Sequence, residues 1–345
     1  MAENTKAYPK MSKESFRPVN HEDYLSAETI SAPSLSFIQD AWRRLKKNKA
    51  AVVSLVILII VAIIALLAPV LAPHDYAAQN AQFANLPPKI PGLEALSWFD
   101  GKTKVAGAAV DAYAKAGVPD GQYFYLGTDA LGRDLLSRIL YGTRVSLFIG
   151  VVAALLNLLI GVPYGIVSGW MGGKVDNLMQ RILEVMSGVP NLVVVILLLL
   201  VLRPGISSII ISLALTEWIT MARLVRAETL KIKTSEYVLA ARSLGESPFK
   251  IALKHILPNI AGVVIIQTIF SIPSAIFFEA FLSFIGLGIP APQASLGTLI
   301  NDGYKTFRFL PHLMWYPAGV LCIVMISFNM LANGLRDALD PKTTD

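Results

Sequence analysis

The sequence predicts an all-α integral membrane protein with six transmembrane helices. Three observations lead there. The chain is 54% hydrophobic and 16% charged over 345 residues, well under the roughly one-quarter charged fraction of soluble domains. Several apolar runs reach the ~20 residues that a helix needs to cross a bilayer. Between those runs the charge balance alternates, basic at some junctions and near neutral at others, as the two faces of a membrane require.

Residues 1–49 read as a cytoplasmic N-terminal tail, and the first 36 of them are polar and without periodicity. The stretch 42–49, "WRRLKKNK", places five Lys/Arg directly before the first apolar run. That predicts a cytoplasmic N-terminus, although such a run can also bind anionic lipid. The formal charge of +6 is therefore read as a topology signal, and nucleic acid is not an expected partner. Residues 50–72 form the first span, with Ser54 their only polar side chain. The run is too long and too deep in the chain for a cleavable signal peptide.

Residues 73–143 follow as a long segment containing Pro87, Pro88 and Pro91, with six Lys/Arg against seven Asp/Glu. This balance suits the extracytoplasmic side. Residues 144–335 hold the other five spans. The second, 145–170, carries Gly161, Gly165 and Gly169 at four-residue spacing, which lets helices approach closely. A basic turn at 171–181 lies inside. The third span is 182–202, and Arg203-Pro204-Gly205 makes a tight outer turn before the fourth, 206–224. A charged island at 225–258 has six Lys/Arg against three Glu, which puts it inside. The fifth span is 260–286. After an outer loop rich in Pro and Gly comes the sixth, 313–332, and a cytoplasmic tail at 336–345. A single cysteine, Cys322, forbids an intramolecular disulfide.

Signatures of covalent chemistry are missing. The run "GWMGGKV" at 169–175 imitates a phosphate loop, but only three residues separate Gly169 from Gly173 and Val175 replaces the metal-binding hydroxyl. The four histidines, at 21, 74, 255 and 312, are scattered and show no metal spacing. No catalytic residue, metal or cofactor site is expected in this chain. Three carboxylates fall within the apolar runs: Glu184, Glu217 and Glu279. A charge at that depth is expensive and faces a cavity or a partner. For Glu184 and Glu217 a second reading is open, namely pairing with Arg181 or Arg223 near an interface. Glu279 has no basic residue near it between 260 and 290. It is the candidate for a translocation path, together with Ser271 two turns earlier.

The island contains "EYVLAARSLGESPFKIALKHILPN", residues 236–259. Ser235 suits an N-cap, and Glu236 favours the positive end of a helix dipole. Tyr237, Ala240, Ala241 and Leu244 follow at helical spacing as one apolar stripe. Gly245 then fits a left-handed turn position. Ser247 and Pro248 restart a helix as N-cap and first residue, with a second stripe of Phe249, Ala252, Leu253 and Ile256. Lys254 and His255 complement the dipole at its end, and Pro258 disfavours continuation at Leu257. Two helices of about nine residues are far too short to span. The pair predicts a docking hairpin at the cytoplasmic face.

The run "AARSLG" followed by "HILPN" resembles the "EAA" loop of ABC-importer permease subunits, whose pattern is Glu-Ala-Ala, three residues, Gly, nine residues, Ile-x-Leu-Pro. Ala240, Ala241, Gly245, Leu257 and Pro258 fall on that pattern, while Leu239 stands in place of Glu and His255 in place of Ile. Both departures resemble the oligopeptide/dipeptide branch. So do "LGTDALGRDLLSRILYGTRVSL" (126–147), "EAFLSFIGLGIP" (279–290), "ASLGTLINDG" (294–303) and "NGLRDALDP" (333–341). The match is most similar to the C-type permease subunit of an oligopeptide importer. This resemblance implies the type I importer fold and a plasma-membrane location. It implies a homologous second permease subunit, two cytoplasmic ATPases that bind ATP and Mg, and an extracytoplasmic peptide-binding protein. It implies that Glu236, Tyr237, Ala240, Ala241, Arg242, Gly245, Glu246 and Pro258 couple the chain to those ATPases. Glu279 would face the interior, against a polar group of the second permease or a water-filled path. Related permeases carry dipeptides, nickel or other small solutes, so those cargoes stay open. A secondary transporter or channel is the rival class; it would want a discontinuous helix pair or a paired intramembrane acid and base, and neither is legible here.

Overall fold

The computed structural model describes residues 37–105 and 108–339. The polar tail expected at 1–36 and the last residues, 340–345, lie outside the described residues. Two units are distinguished, 1–43 and 44–345. Helix α1, Phe37–Leu45, begins in the first. Among the described residues five helices are long and apolar enough to cross a membrane, and a bent pair makes six if it counts as one span. The expected six-span architecture is met, with several boundaries and one span corrected.

Helix α2, Lys49–Leu66, starts on the Asn48 side chain, which accepts from Ala51 N–H at 3.2 Å. The first span was expected to run to Ala72, but Pro69 cannot donate to the helical ladder. The chain breaks at Leu67 and resumes as the short helix α3, Ala68–Leu71. The following segment is built rather than loose. Strands β1, Lys102–Val105, and β2, Ala108–Asp111, pair antiparallel and lead into α4, Ala112–Ala116. Leu86, Ala112, Tyr113 and Phe124 make a small core there. The Tyr113 hydroxyl donates to the carbonyls of Pro87 at 3.0 Å and Phe124 at 3.1 Å.

Helix α5, Leu135–Met171, has 37 residues and begins ten residues before the expected second span. Asp134 explains the early start, because its carboxylate accepts the Ser137 N–H at 2.9 Å and caps the helix. At ~1.5 Å per residue such a helix is about 55 Å long, so its first turns stand outside a ~30 Å hydrocarbon core. Two buried arginines occupy those turns and the loop before them. Asp129 Oδ2 receives Arg133 Nε at 2.7 Å and Arg138 Nη1 at 3.0 Å.

The third span is not straight. Helices α6, Gly173–Gly188, and α7, Asn191–Val201, meet at 80°. Val189 precedes Pro190 and takes an extended ψ of 125°, as the residue before a proline is driven to do. Helices α8, Ile206–Thr216, and α9, Trp218–Ile232, continue as one span of 27 residues. Helix α9 lies against the glycine stripe of α5. A Cβ on Gly165 would stand 2.6 Å from the Ala222 carbonyl oxygen, so the glycines are there for close packing.

Helix α10, Glu236–Ser243, and α11, Pro248–Ile251, form the hairpin. A π-helical turn, Ala252–Ile256, then joins α11 to α12, Leu257–Phe284. The expected stop before Pro258 does not occur: Pro248–Phe284 is one helix of 37 residues. The Leu257 N–H bonds to the Ala252 carbonyl, five residues back. This wider turn moves the backbone register by one and makes room for a proline whose ring would otherwise crowd the preceding turn. The loop after α12 contains another helix, α13, Leu296–Lys305, opened by a capping box of Ser295 and Thr298. Helix α14, His312–Leu339, runs past the expected end at 332 and makes 336–339 of the expected tail helical.

Candidate functional site

The hairpin is closed by a complete Schellman turn. Gly245 sits at φ +80°, Gly245 N–H donates to the Arg242 carbonyl at 3.0 Å, and Glu246 N–H donates to that of Ala241 at 3.1 Å. This is the turn chemistry that Gly245 predicts. The caps differ from expectation. Ser235 and Ser247 hold the N-cap positions without side-chain caps, and the Ser235 hydroxyl donates backwards to the Ile232 carbonyl at 2.6 Å.

The two apolar stripes are divided between two tasks. Val238, Ala241, Ile251 and Ile256 are buried with Val162 of α5, Met221 and Val225 of α9, and Ile260 and Val264 of α12. They root the hairpin in the helix bundle. Tyr237, Ala240, Leu244, Phe249 and Leu253 stay outside, with Leu244 88% and Phe249 74% exposed. Of the expected docking stripe, Ala241 therefore faces inward, because a stripe about 100° wide has to serve both the bundle and the outer surface. Glu236 is exposed at the start of α10, and Pro258 is exposed on the second position of α12. A cavity of about 720 Å³ opens beside the hairpin, with Trp170, Lys233, Leu239, Arg242 and Glu246 among its lining residues.

Glu246 is the electrostatic centre of this turn. His255 Nε2 lies 2.8 Å from its Oε2, Lys250 Nζ 3.3 Å and Lys254 Nζ 3.8 Å from its Oε1. Desolvation pushes its pKa up, but the hydrogen bonds to His255 and Lys250 and the charge of Lys254 outweigh it and hold the carboxyl below its ordinary 4.5. A carboxylate only accepts, so His255 presents Nε2–H. Lys254 and His255 were expected to complement a helix end. No end exists there, and they bind the turn to the continuous helix instead. The Glu246–Lys250 spacing of four residues was the available signal.

The intramembrane carboxylates separate into two kinds. Glu279 is fully buried, five residues before the end of α12. Its Oε1 accepts from the Ser283 hydroxyl at 2.7 Å and its Oε2 from Ser146 of α5 at 3.2 Å. Ser146 Oγ in turn accepts the Leu296 N–H of α13 at 3.2 Å. Glu279 thus pins α5, α12 and α13 together through hydroxyls of its own chain. The Ser271 hydroxyl donates to the Gln267 carbonyl at 2.9 Å and is half-buried on its own helix. Glu184 pairs with Arg181 Nη1 at 2.8 Å, one of the expected pairings. Glu217 does not reach Arg223. It accepts from Asn191 Nδ2 at 3.1 Å, while Arg223 Nη2 donates to the Ser187 hydroxyl at 2.8 Å.

Long apolar helices, a bent span and a rooted hairpin define a multi-pass membrane protein of the transporter-permease class. Residues 161–345 match the model of the binding-protein-dependent transport system inner membrane component, and residues 36–88 match the N-terminal TM domain of oligopeptide transport permease C. The chain belongs to this family of binding-protein-dependent permeases and has the type I ABC importer permease fold. It is 47% identical to the dipeptide transport system permease protein DppC of Lactococcus lactis, over 93% of this chain and 95% of that one. It is 42% identical to the oligopeptide transport system permease protein OppC of Bacillus subtilis, over 92% and 93%. The fold also resembles a chain of the inward-facing MetNI methionine ABC transporter, with a TM-score of 0.51 and 18% identity over 60% of this chain and 98% of that one.

The Glu279 node yields a stability test. Glu279→Gln keeps an acceptor for Ser283 and should leave the melting temperature of the purified protein near wild type. Glu279→Leu strands the buried Ser146 and Ser283 hydroxyls, at about 1–3 kcal/mol for each unsatisfied group, and should lower it by several degrees. Equal melting of both variants and wild type would remove the node from the fold's stability.

Proposed function

We propose that this chain is one of two permease subunits of an ATP-driven peptide importer. It would cross the plasma membrane with both termini cytoplasmic and move through separate ATPase subunits. The observation that carries this reading is the hairpin tip. Two large apolar side chains stand exposed among charged residues, Leu244 at the end of α10 and Phe249 on the helix that continues into a membrane span. Exposed apolar groups rimmed by charge mark a protein contact. The contact would sit at one end of a lever and the membrane path at the other.

The remaining partners follow from the family. A binding-protein-dependent system needs an extracytoplasmic binding protein, and its ATP and Mg belong to the ATPases. Relatives named for dipeptide and for oligopeptide transport both match along most of the chain, which supports peptides as the cargo class. The match of residues 36–88 to an oligopeptide permease domain favours oligopeptides within it. ATP-driven closure of the ATPases shifts the membrane equilibrium only through contacts that differ between the two states, and the hairpin is where such contacts would form.

Two measurements check this. Gly245→Val puts a β-branched residue at φ +80°, a strained conformation, and should leave the complex in the membrane while peptide-stimulated ATP hydrolysis and uptake both fall at least tenfold. Normal coupled uptake in that variant would exclude the hairpin as the coupling element. For topology, cysteines at Ala108 and Ser247, with Cys322 replaced by Ser, should react with an impermeant maleimide from opposite faces of sealed vesicles. Reaction of both from the outside would overturn the orientation.

A further inference from the structure

The polar groups at membrane depth are not all of one kind. Glu279 is sealed inside the chain, and Asp176 and Arg226 neutralise each other through two contacts of 2.6 Å. Glu217 and Arg223 behave differently. Each is held by a neutral dipole, Asn191 for the acid and Ser187 for the guanidinium. Among the described residues neither forms an ion pair with a residue of opposite charge.

Their position makes this more than a surface detail. Glu217 is the twelfth of 27 residues in the span Ile206–Ile232, which places it near mid-membrane. It is half-exposed, and Asn191, Ser187 and Arg223 are exposed. The two dipoles flank the 80° break between α6 and α7, so the break opens beside the acid and the base. A half-exposed carboxylate at that depth is costly against lipid and belongs against water or a polar partner. An acid and a base that are adjacent along one seam, yet not paired with each other, suit a ligand carrying both charges.

We propose that the seam where the bent pair meets the α8–α9 span, formed by Ser187, Asn191, Glu217 and Arg223, borders the transport path and that Glu217 and Arg223 receive the ammonium and carboxylate of a zwitterionic peptide. This deepens the proposed peptide-import function and rests on it for the identity of the cargo. It moves the path away from Glu279 and Ser271. A discontinuous span lining a path, with polar groups at the break, is also how membrane transporters admit irregular backbone at depth.

The test uses the complete importer in proteoliposomes, with Cys322 replaced by Ser. Single cysteines at Ser187 and Asn191 should react with a hydrophilic maleimide, and trialanine should slow the reaction. A cysteine at Leu200, an exposed apolar position of α7, should stay unreactive as the lipid-facing control. In uptake assays Glu217→Gln should raise the KM for trialanine about tenfold, the effect of losing one charged hydrogen bond, without changing it for the N-acetylated peptide. Arg223→Gln should do the same with the C-terminal amide as its insensitive substrate. Cysteines at 187 and 191 as unreactive as the one at 200 would overturn the seam as a path. Labelling with unchanged KM values in both variants would overturn the charge recognition. Labelling in a parental importer that does not transport trialanine would support the path while refuting the peptide cargo.

Discussion

A helix that crosses a bilayer has to satisfy its own backbone, and Pro258 takes one amide out of one of the two longest such helices among the described residues. A proline inside a regular α-helix costs about 3 kcal/mol, partly through its ring and the preceding turn. The π-helical turn at Ala252–Ile256 resolves that conflict without ending the helix. Because it does, the second arm of the hairpin and the fifth span are one body of 37 residues. The Schellman turn at Gly245, the Glu246 cluster and the buried roots at Val238, Ala241, Ile251 and Ile256 all hang from that continuity.

The same physics sorts the polar groups of the membrane region. Where neutral hydroxyls or a bidentate guanidinium enclose an acid, as at Glu279 and Asp176, the acid acts as a fastener between helices. Where a charge is only half satisfied and still open to the outside, as at Glu217 and Arg223, its energy depends on what comes to meet it. The first kind holds α5, α12 and α13 together at one end of the bundle and α6 to α9 toward the other. The second lies between them. Rigid ends with an unsatisfied middle is the arrangement expected of a protein that has to close around cargo and let it go.

Much of this was legible in the sequence, because the bilayer leaves few choices. Apolar runs and Lys/Arg placement gave the spans, and Ser-Leu-Gly with Ser-Pro gave the hairpin turn. The misses have physical reasons. Pro258 reads as a stop because a 3.6-residue pattern cannot show a one-residue change of register. Val189-Pro190 lies inside a stretch read as one span, and transmembrane helices tolerate proline, so the size of the bend was hidden. The Glu279 partner Ser146 is 133 residues away in the chain, and only the packing of α5 on α12 brings the two together. Helix α13 was missed for a simpler reason. Its capping box, Ser295 to Thr298, uses Thr where Glu or Gln gives the familiar signature.

If hairpin and span move as one rod, a distance within Pro248–Phe284 stays fixed while the helix moves against its neighbours. Spin labels at Lys254 and Phe277, both exposed on this helix, should stand about 35 Å apart at ~1.5 Å per residue. In the reconstituted importer that distance should be the same, and narrowly distributed, in the nucleotide-free and ATP-trapped states. The distance from Lys254 to a label at Leu178 on α6 should change between those states. A constant distance within the rod with a changing one to α6 is the predicted result. A rod distance that shifts by several ångströms or splits into two populations would show that the π turn is a hinge, and would contradict the account.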